Sequence, residues 1–205
     1  MELKRLNAQE LTALYQNEMT VDFPKSELKP LRAMLRLMEM GRYDPMLIVE
    51  NGEAVGYAML WLPTDRPGAL LEYLGILRGK RNGGLGTRVL AILLERYGQL
   101  FGEAEALDSD DPAENELRAH RLAFYQRNGF RIADYDCALF GVHFKCLYAG
   151  PLTNDREVES LHRSVYSGYF SPAHMNQFIQ LPLLPGEKIH PAPQWVEEDD
   201  QQVFS

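Results

Sequence analysis

The order of strand and helix signals predicts an α/β fold built on a mixed sheet, and it excludes an all-helical or all-β chain. Three observations carry this reading. Asn51-Gly52, set between two apolar runs, is the strongest short hairpin signal in the chain. The apolar run Leu70 to Ile76 leads into a basic, glycine-rich turn, and that turn opens a helix. Farther on, RAHRLAFYQRNGF from Arg118 to Phe130 reads as a helix that stops at Gly129 and restarts as a strand at Phe130.

Taken in order, Glu2 to Leu6 reads as a first strand, and Leu11, Leu14 and Tyr15 space a helix over Ala8 to Glu18. A second helix is expected from Lys25 to Met40, because Leu31, Met34, Leu35 and Met38 recur at three and four residues and Gly41 sits where a C-cap belongs. This methionine-rich stripe reads as core. Strands follow at Met46 to Glu50, Glu53 to Leu62 and Leu70 to Ile76, then a helix at Leu85 to Tyr97 and a strand at Ala104 to Ser109. Pro112 to Arg127 is a helix with proline in its first turn, and Phe130 to Ala133 and Val142 to Tyr148 are the closing strands. The order βααβββαβαββ occupies residues 1–150, taken as one domain. Residues 151–205 form a C-terminal extension. Within it, Val158, Leu161, Val165 and Tyr169 share one side of a helix over Asp155 to Phe170, and residues 151–180 are expected to pack back on the domain or on a partner. Pro172, Pro182, Pro185, Pro191 and Pro193 then forbid long regular structure, so the remainder, ending in the acidic VEEDDQQVFS, should be extended.

Composition narrows the function classes. The chain has 205 residues, 45% hydrophobic and 24% charged, enough for one sizeable core. A formal net charge of -8 argues against a nucleic-acid partner, which needs clustered lysine and arginine, and is compatible with a cationic one. Cys137 and Cys146 are too few for a disulfide framework and too far apart for a Cys-x-x-Cys pair, so both read as buried small hydrophobes in a reducing compartment. MELKRLNAQELTALYQ lacks the apolar stretch of a signal peptide, and no run approaches the roughly 18 apolar residues of a membrane span. No membrane partner and a cytoplasmic location are expected.

The glycine-rich turn singles out a ligand. Gly83, Gly84 and Gly86 let the backbone bend and uncover its N–H groups, and the helix behind adds its positive end. Arg78, Lys80, Arg81 and Arg88 surround it without an intervening acid, a local excess that calls for an anion. A P-loop would need Lys and a hydroxyl where Leu85 and Gly86 stand, and a dinucleotide fingerprint would need glycine at Val89. What remains is Arg-x-x-Gly-x-Gly at Arg81, Gly84 and Gly86. This resembles the acyl-coenzyme A pyrophosphate loop of the GNAT (GCN5-related N-acetyltransferase) superfamily. The later helix, with Tyr125 and then Gly129-Phe130, resembles that superfamily's second signature.

The resemblance implies acetyl-coenzyme A as co-substrate, no metal, and direct acetyl transfer to the amine of a small molecule or peptide. Arg81, Asn82, Gly83, Gly84, Leu85, Gly86 and Thr87 would meet the pyrophosphate, and the backbone of Gly75, Ile76 and Leu77 the thioester carbonyl. Tyr125 matches the tyrosine that protonates the departing thiolate. The general base is open between Glu72 and Asp108, the latter expected on the fifth strand, where its short reach favours a water relay. The bland reading is that both acids solvate strand ends. Arg118 and Arg121 stand where the family often has Asn and Ala; they are read either as added contacts to coenzyme phosphate or acceptor or, the favoured reading, as partners of Glu114 and Glu116 along the helix. His120 and His143 read as structural or exposed. A second reading is a catalytically silent domain of the same fold that binds an acyl-coenzyme A or a protein partner. A homodimer is an open assembly.

Overall fold

The computed structural model describes residues 1–24, 27–64, 66–80 and 83–191. Its strands are β1 (Glu2–Arg5), β2 (Tyr43–Glu50), β3 (Glu53–Trp61), β4 (Ala69–Ile76), β5 (Leu100–Glu105), β6 (Arg131–Leu139), β7 (Val142–Ala149) and β8 (Ile179–Leu183). They form one mixed sheet in the order β1-β2-β3-β4-β5-β7-β6-β8. β4 and β5 pair in parallel through Ala69–Leu100 and Leu70–Phe101. Among the described residues the chain forms two compact units, one within residues 1–62 and 71–89, the other within 63–70 and 90–191.

In the first unit, α1 (Ala8–Leu14) starts with a capping box. The Asn7 side chain accepts the N–H groups of Gln9 and Glu10, and the Glu10 carboxylate accepts that of Asn7. The helix runs on through a π-helical turn, Tyr15–Met19, into a short α2 (Thr20–Asp22). The next helix, α3 (Leu31–Glu39), is shorter than the Lys25 to Met40 span expected. Pro30 explains the difference, since a proline ring disfavours helical backbone at the residue before it, here Lys29. Lys25 and Ser26 lie outside the described residues. α3 buries Ala33, Met34 and Leu37, so the methionine stripe is core as read. The β2–β3 hairpin turns through Asn51 and Gly52, with φ of 52° and 81°. At Gly75 a Cβ would come within 2.2 Å of the Tyr57 ring, so only glycine leaves that ring its place. The Tyr57 hydroxyl donates to Asp22 Oδ2 at 2.8 Å, tying α2 to β3.

The second unit holds the paired strands β5-β7-β6-β8, with α5 (Pro112–Arg127), α6 (Asp155–Ser167) and α7 (Pro172–Phe178). α4 (Leu85–Tyr97) and β4 contribute residues to both units. β5 spans Leu100–Glu105, not Ala104 to Ser109. Its register is set by β7, with Leu100 opposite Ala149, Gly102 opposite Leu147 and Glu105 opposite Phe144. β6 continues to Leu139 because Ala133, Tyr135 and Cys137 are buried at alternate positions, with Asp134 and Asp136 between them. In the extension one helix was expected; a second, α7, and a sheet strand, β8, follow it, both short. Pro172 occupies the first turn of α7, where no N–H is needed, and Pro182 sits in an edge strand.

α6 covers a buried polar cluster. Besides Val158, Leu161 and Val165 it buries His162, whose Nε2 lies 2.6 Å from Glu103 Oε1, and the Tyr166 hydroxyl donates to the same oxygen at 2.5 Å. Cys137 and Cys146 are buried free thiols as expected, but Cys146 acts electrostatically on both Cys137 and His162, so they are more than small hydrophobes. Burial alone would lower the His162 imidazole, yet its Cys146 and Glu103 contacts raise it to about 10. Burial would raise the Cys146 thiol, but Cys137 and His162 bring it down to about 7. Cys137 itself is pushed well up, first by burial and then by Cys146.

The signs of these shifts predict a pH profile. His162 stabilises the fold fully below its unfolded value of 6.5 and loses that contribution as the pH rises to about 10. Cys146 acts in reverse, stabilising above its unfolded value of 9.0 and losing the contribution as the pH falls to about 7. The two offset one another between these values, so the net decline should fall above pH 9, where Cys137 adds to it. In Cys146→Ala the decline should begin at about pH 7. Thermal unfolding of both proteins across this range checks it, and superimposable profiles would show that Cys146 does not offset His162.

Candidate active site

In the first unit, the strand-to-helix turn has the geometry its glycines imply. Gly79, Gly83 and Gly84 take φ of 77°, 74° and 69°, and at Gly83 and Gly84 a Cβ would meet nothing within 4 Å. α4 begins at Leu85, with Arg88 N–H bonded to Gly84 O. Leu85 is buried, while Gly86 is partly covered and Thr87 exposed. Arg81 and Asn82 lie outside the described residues. The local charge is smaller than the sequence suggests. Lys80 pairs with Glu53 at 2.6 Å and Arg88 pairs with Glu50, both acids coming from the β2–β3 hairpin. Arg78 is exposed and has no ion-pair partner among the described residues. The Leu77 N–H donates to Val55 O at 3.0 Å.

Glu72, on β4, sits among aromatic rings. Its Oε1 is 2.5 Å from the Lys29 ammonium and its Oε2 accepts the Tyr43 hydroxyl at 2.5 Å. Lys29 Nζ lies 3.4 Å from the Trp61 ring centroid and 5.5 Å from that of Tyr43. The Tyr73 hydroxyl accepts the Lys29 N–H and donates to Glu27 O, each at 2.8 Å. Burial, and then the Glu72 charge, push the Tyr43 phenol well up. Lys29, Tyr43, Trp61 and Tyr73 carry no local spacing signal, since they come from four separate segments.

The second unit holds the other candidates. Asp108 lies three residues past the end of β5, and the acid that ends the strand is Glu105. Arg118 and Arg121 each reach a Glu105 oxygen at 2.9 Å. Arg118 also donates to Ala106 O at 2.8 Å and stands 3.4 Å from both Asp108 and Glu114. Glu105, rather than acids of their own helix, therefore holds these arginines most closely. His143, read from sequence as structural or exposed, bridges two acids. Its Nδ1 is 2.8 Å from Asp108 Oδ2 and its Nε2 2.9 Å from Asp136 Oδ2, which also takes Lys145 at 2.7 Å. Tyr125, half-buried on α5, packs edge-on against Phe124 and Phe130 at 5.4 and 5.2 Å. Its hydroxyl has no hydrogen-bond partner among the described residues. Burial raises its phenol and Arg121 pulls it back down, so the group keeps its proton at neutral pH.

Residues 8–130 match the profile of the acetyltransferase (GNAT) family. The chain belongs to that family. The GNAT match takes in the glycine turn, Glu72, Asp108 and Tyr125, and it ends at Phe130. Similar solved structures include a GNAT-family protein from Bacteroides thetaiotaomicron, 19% identical, with a TM-score of 0.65 over 80% of this chain and 94% of that one. An aminoglycoside 6′-N-acetyltransferase complexed with coenzyme A is 15% identical, with a TM-score of 0.55 over 75% of this chain and all (100%) of its own. One from Enterococcus faecium is 16% identical, with a TM-score of 0.51 over 75% and 100%. No curated protein sequence matches. Among the described residues, no helix of this GNAT chain is long and apolar enough to cross a membrane.

Proposed function

We propose that the chain is an acetyl-coenzyme A-dependent N-acetyltransferase that passes the acetyl group directly to an amine of a small molecule or peptide, in the cytoplasm. The observation that carries this reading is the family match over residues 8–130, with Tyr125 and the glycine turn inside it. The catalytic domain is taken as residues 1–150 and the extension as 151–205. The left-handed Gly83 and Gly84, open where a Cβ would stand, fit a backbone cradle for the coenzyme's pyrophosphate.

The coenzyme, when bound, supplies the acetyl group on a thioester. The N–H groups of residues 83–87 and the first turn of α4 offer donors for the pyrophosphate, joined by the Thr87 hydroxyl, Arg81 and Asn82. Backbone at Ile76, or its neighbours Gly75 and Leu77, is assigned the thioester carbonyl; of these, the Leu77 N–H is already engaged by Val55. Glu72 and Asp108 are the candidate bases that relieve the acceptor ammonium of its proton, Asp108 with His143 beside it. Tyr125 holds the proton destined for the leaving sulfur.

Acetyl-coenzyme A should therefore raise the melting temperature of the wild-type chain, and Gly84→Glu should abolish that shift, because a carboxylate in the cradle repels phosphate. A full shift in the variant would remove the turn from the site. The test of the activity itself is thiol release from acetyl-coenzyme A across a panel of amines. Binding without turnover of any amine would leave a coenzyme-binding module.

A further inference from the structure

A lysine ammonium seldom goes inside a protein, and Lys29 does so with a side chain only 9% exposed. Its surroundings are specific. Trp61 presents a ring face at 3.4 Å, Tyr43 another at 5.5 Å, and Glu72 closes the site at 2.5 Å, its second oxygen fixed by the Tyr43 hydroxyl. Aromatic faces with an oriented carboxylate are the chemistry that recognises an alkylammonium. Such an arrangement is not the cheapest way to hold a loop against a sheet, because a buried ion pair adds little stability over well-packed apolar side chains. Tyr73 already holds this segment by its backbone, accepting from Lys29 N–H and donating to Glu27 O.

We propose that Trp61, Tyr43 and Glu72 form a binding site for an unbranched primary alkylammonium, which Lys29 occupies as an intramolecular stand-in and which an external ligand of the same chemistry takes by exchange. A site that holds a lysine side chain from its own chain has the reach and charge for one from another molecule. Exchange is also the natural mode of entry, since Lys29 leaving alone would strand a buried Glu72 charge, whereas a second ammonium replaces the first like for like. Lys29 then competes with the ligand and weakens its apparent affinity by the fraction of time it occupies the cage. The meaning of the cage as an acceptor subsite rests on the acetyltransferase reading. Its ability to bind an ammonium does not.

The probe is n-butylammonium, with butan-1-ol as its uncharged counterpart. Calorimetric titration should show n-butylammonium binding Lys29→Ala at least about tenfold more tightly than wild type, no binding by Lys29→Ala/Glu72→Gln, and no saturable binding of butan-1-ol. If emptying the cage prevents folding, Lys29→Met keeps its packing and should show the same order. In wild type, n-butylammonium should raise labelling of Lys29 by an amine-reactive ester relative to the exposed Lys4, read by mass spectrometry; the ratio cancels reagent lost to free amine. Equal affinity in wild type and variants, or a labelling ratio that ignores the cation or follows butan-1-ol equally, would overturn the cage. Butylammonium binding without acetylation of any amine would overturn the enzyme reading and leave the cage standing. Acetylation of n-butylamine with the same KM in wild type and Lys29→Met would overturn the cage's role as acceptor subsite and leave the enzyme.

Discussion

Tyr125→Phe should lower kcat by about 10- to 1,000-fold while moving the coenzyme dissociation constant no more than a few-fold. The substitution takes away one oxygen and nothing else. The ring's edge-on contacts with Phe124 and Phe130 remain, and among the described residues the hydroxyl leaves no partner unsatisfied. Stability should accordingly change by less than about 1 kcal/mol. This separates chemistry from packing, because a purely structural tyrosine predicts the same small stability change with kcat intact. Steady-state kinetics on any amine found by the thiol-release panel, with coenzyme titration and thermal unfolding of the same preparation, checks it. Full turnover by Tyr125→Phe would assign the ring to the α5 interior and send the search for the acid elsewhere.

Glu103→Leu should cost about 3–5 kcal/mol of stability, because it leaves His162 and the Tyr166 hydroxyl buried without their shared acceptor. The double variant Glu103→Leu/His162→Leu should recover most of that loss, since apolar side chains of similar volume often replace a buried pair with little penalty. Urea unfolding of the two single variants, the double variant and wild type gives the coupling. A double variant as unstable as the sum of the singles would mean that Glu103 and His162 do not act on one another, despite their 2.6 Å contact.

Local chemistry was legible in the sequence. Asn51-Gly52, the Leu85–Tyr97 helix and the Pro112–Arg127 helix each depend on neighbours within a turn or two, and the structure has them at the expected residues. Gly83 and Gly84 belong with these, because a left-handed backbone is a property of the residue itself. Three strands were given wrong limits because tertiary pairing, not local pattern, sets them. β2 starts at Tyr43 rather than Met46, where it pairs with Trp61; β5 runs from Leu100 to Glu105 in register with β7; and β6 runs on past Ala133 to Leu139, paired with β7 and β8. Long-range partners left no trace. Nothing near Glu72 announces Lys29, Tyr43 or Trp61, and nothing near Asp108 announces His143, 35 residues away. The basic cluster around the glycine turn was overestimated for the same reason, its neutralising Glu50 and Glu53 lying on another hairpin.

The outer strands of the sheet bear on how the protein behaves when crowded. β1 has four residues, three of them exposed, and carries Glu2, Lys4 and Arg5. β8 has five and contains Pro182, which offers no N–H to a neighbour. Without β8, the outermost strand on that side would be β6, nine residues long and lined with buried Cys137, Ala138 and Leu139. A strand of that length with an open row of backbone donors and acceptors is a template for pairing between molecules. β8 thus covers that edge, and a chain shortened before Ile179 should aggregate more readily than the full chain, as light scattering would show.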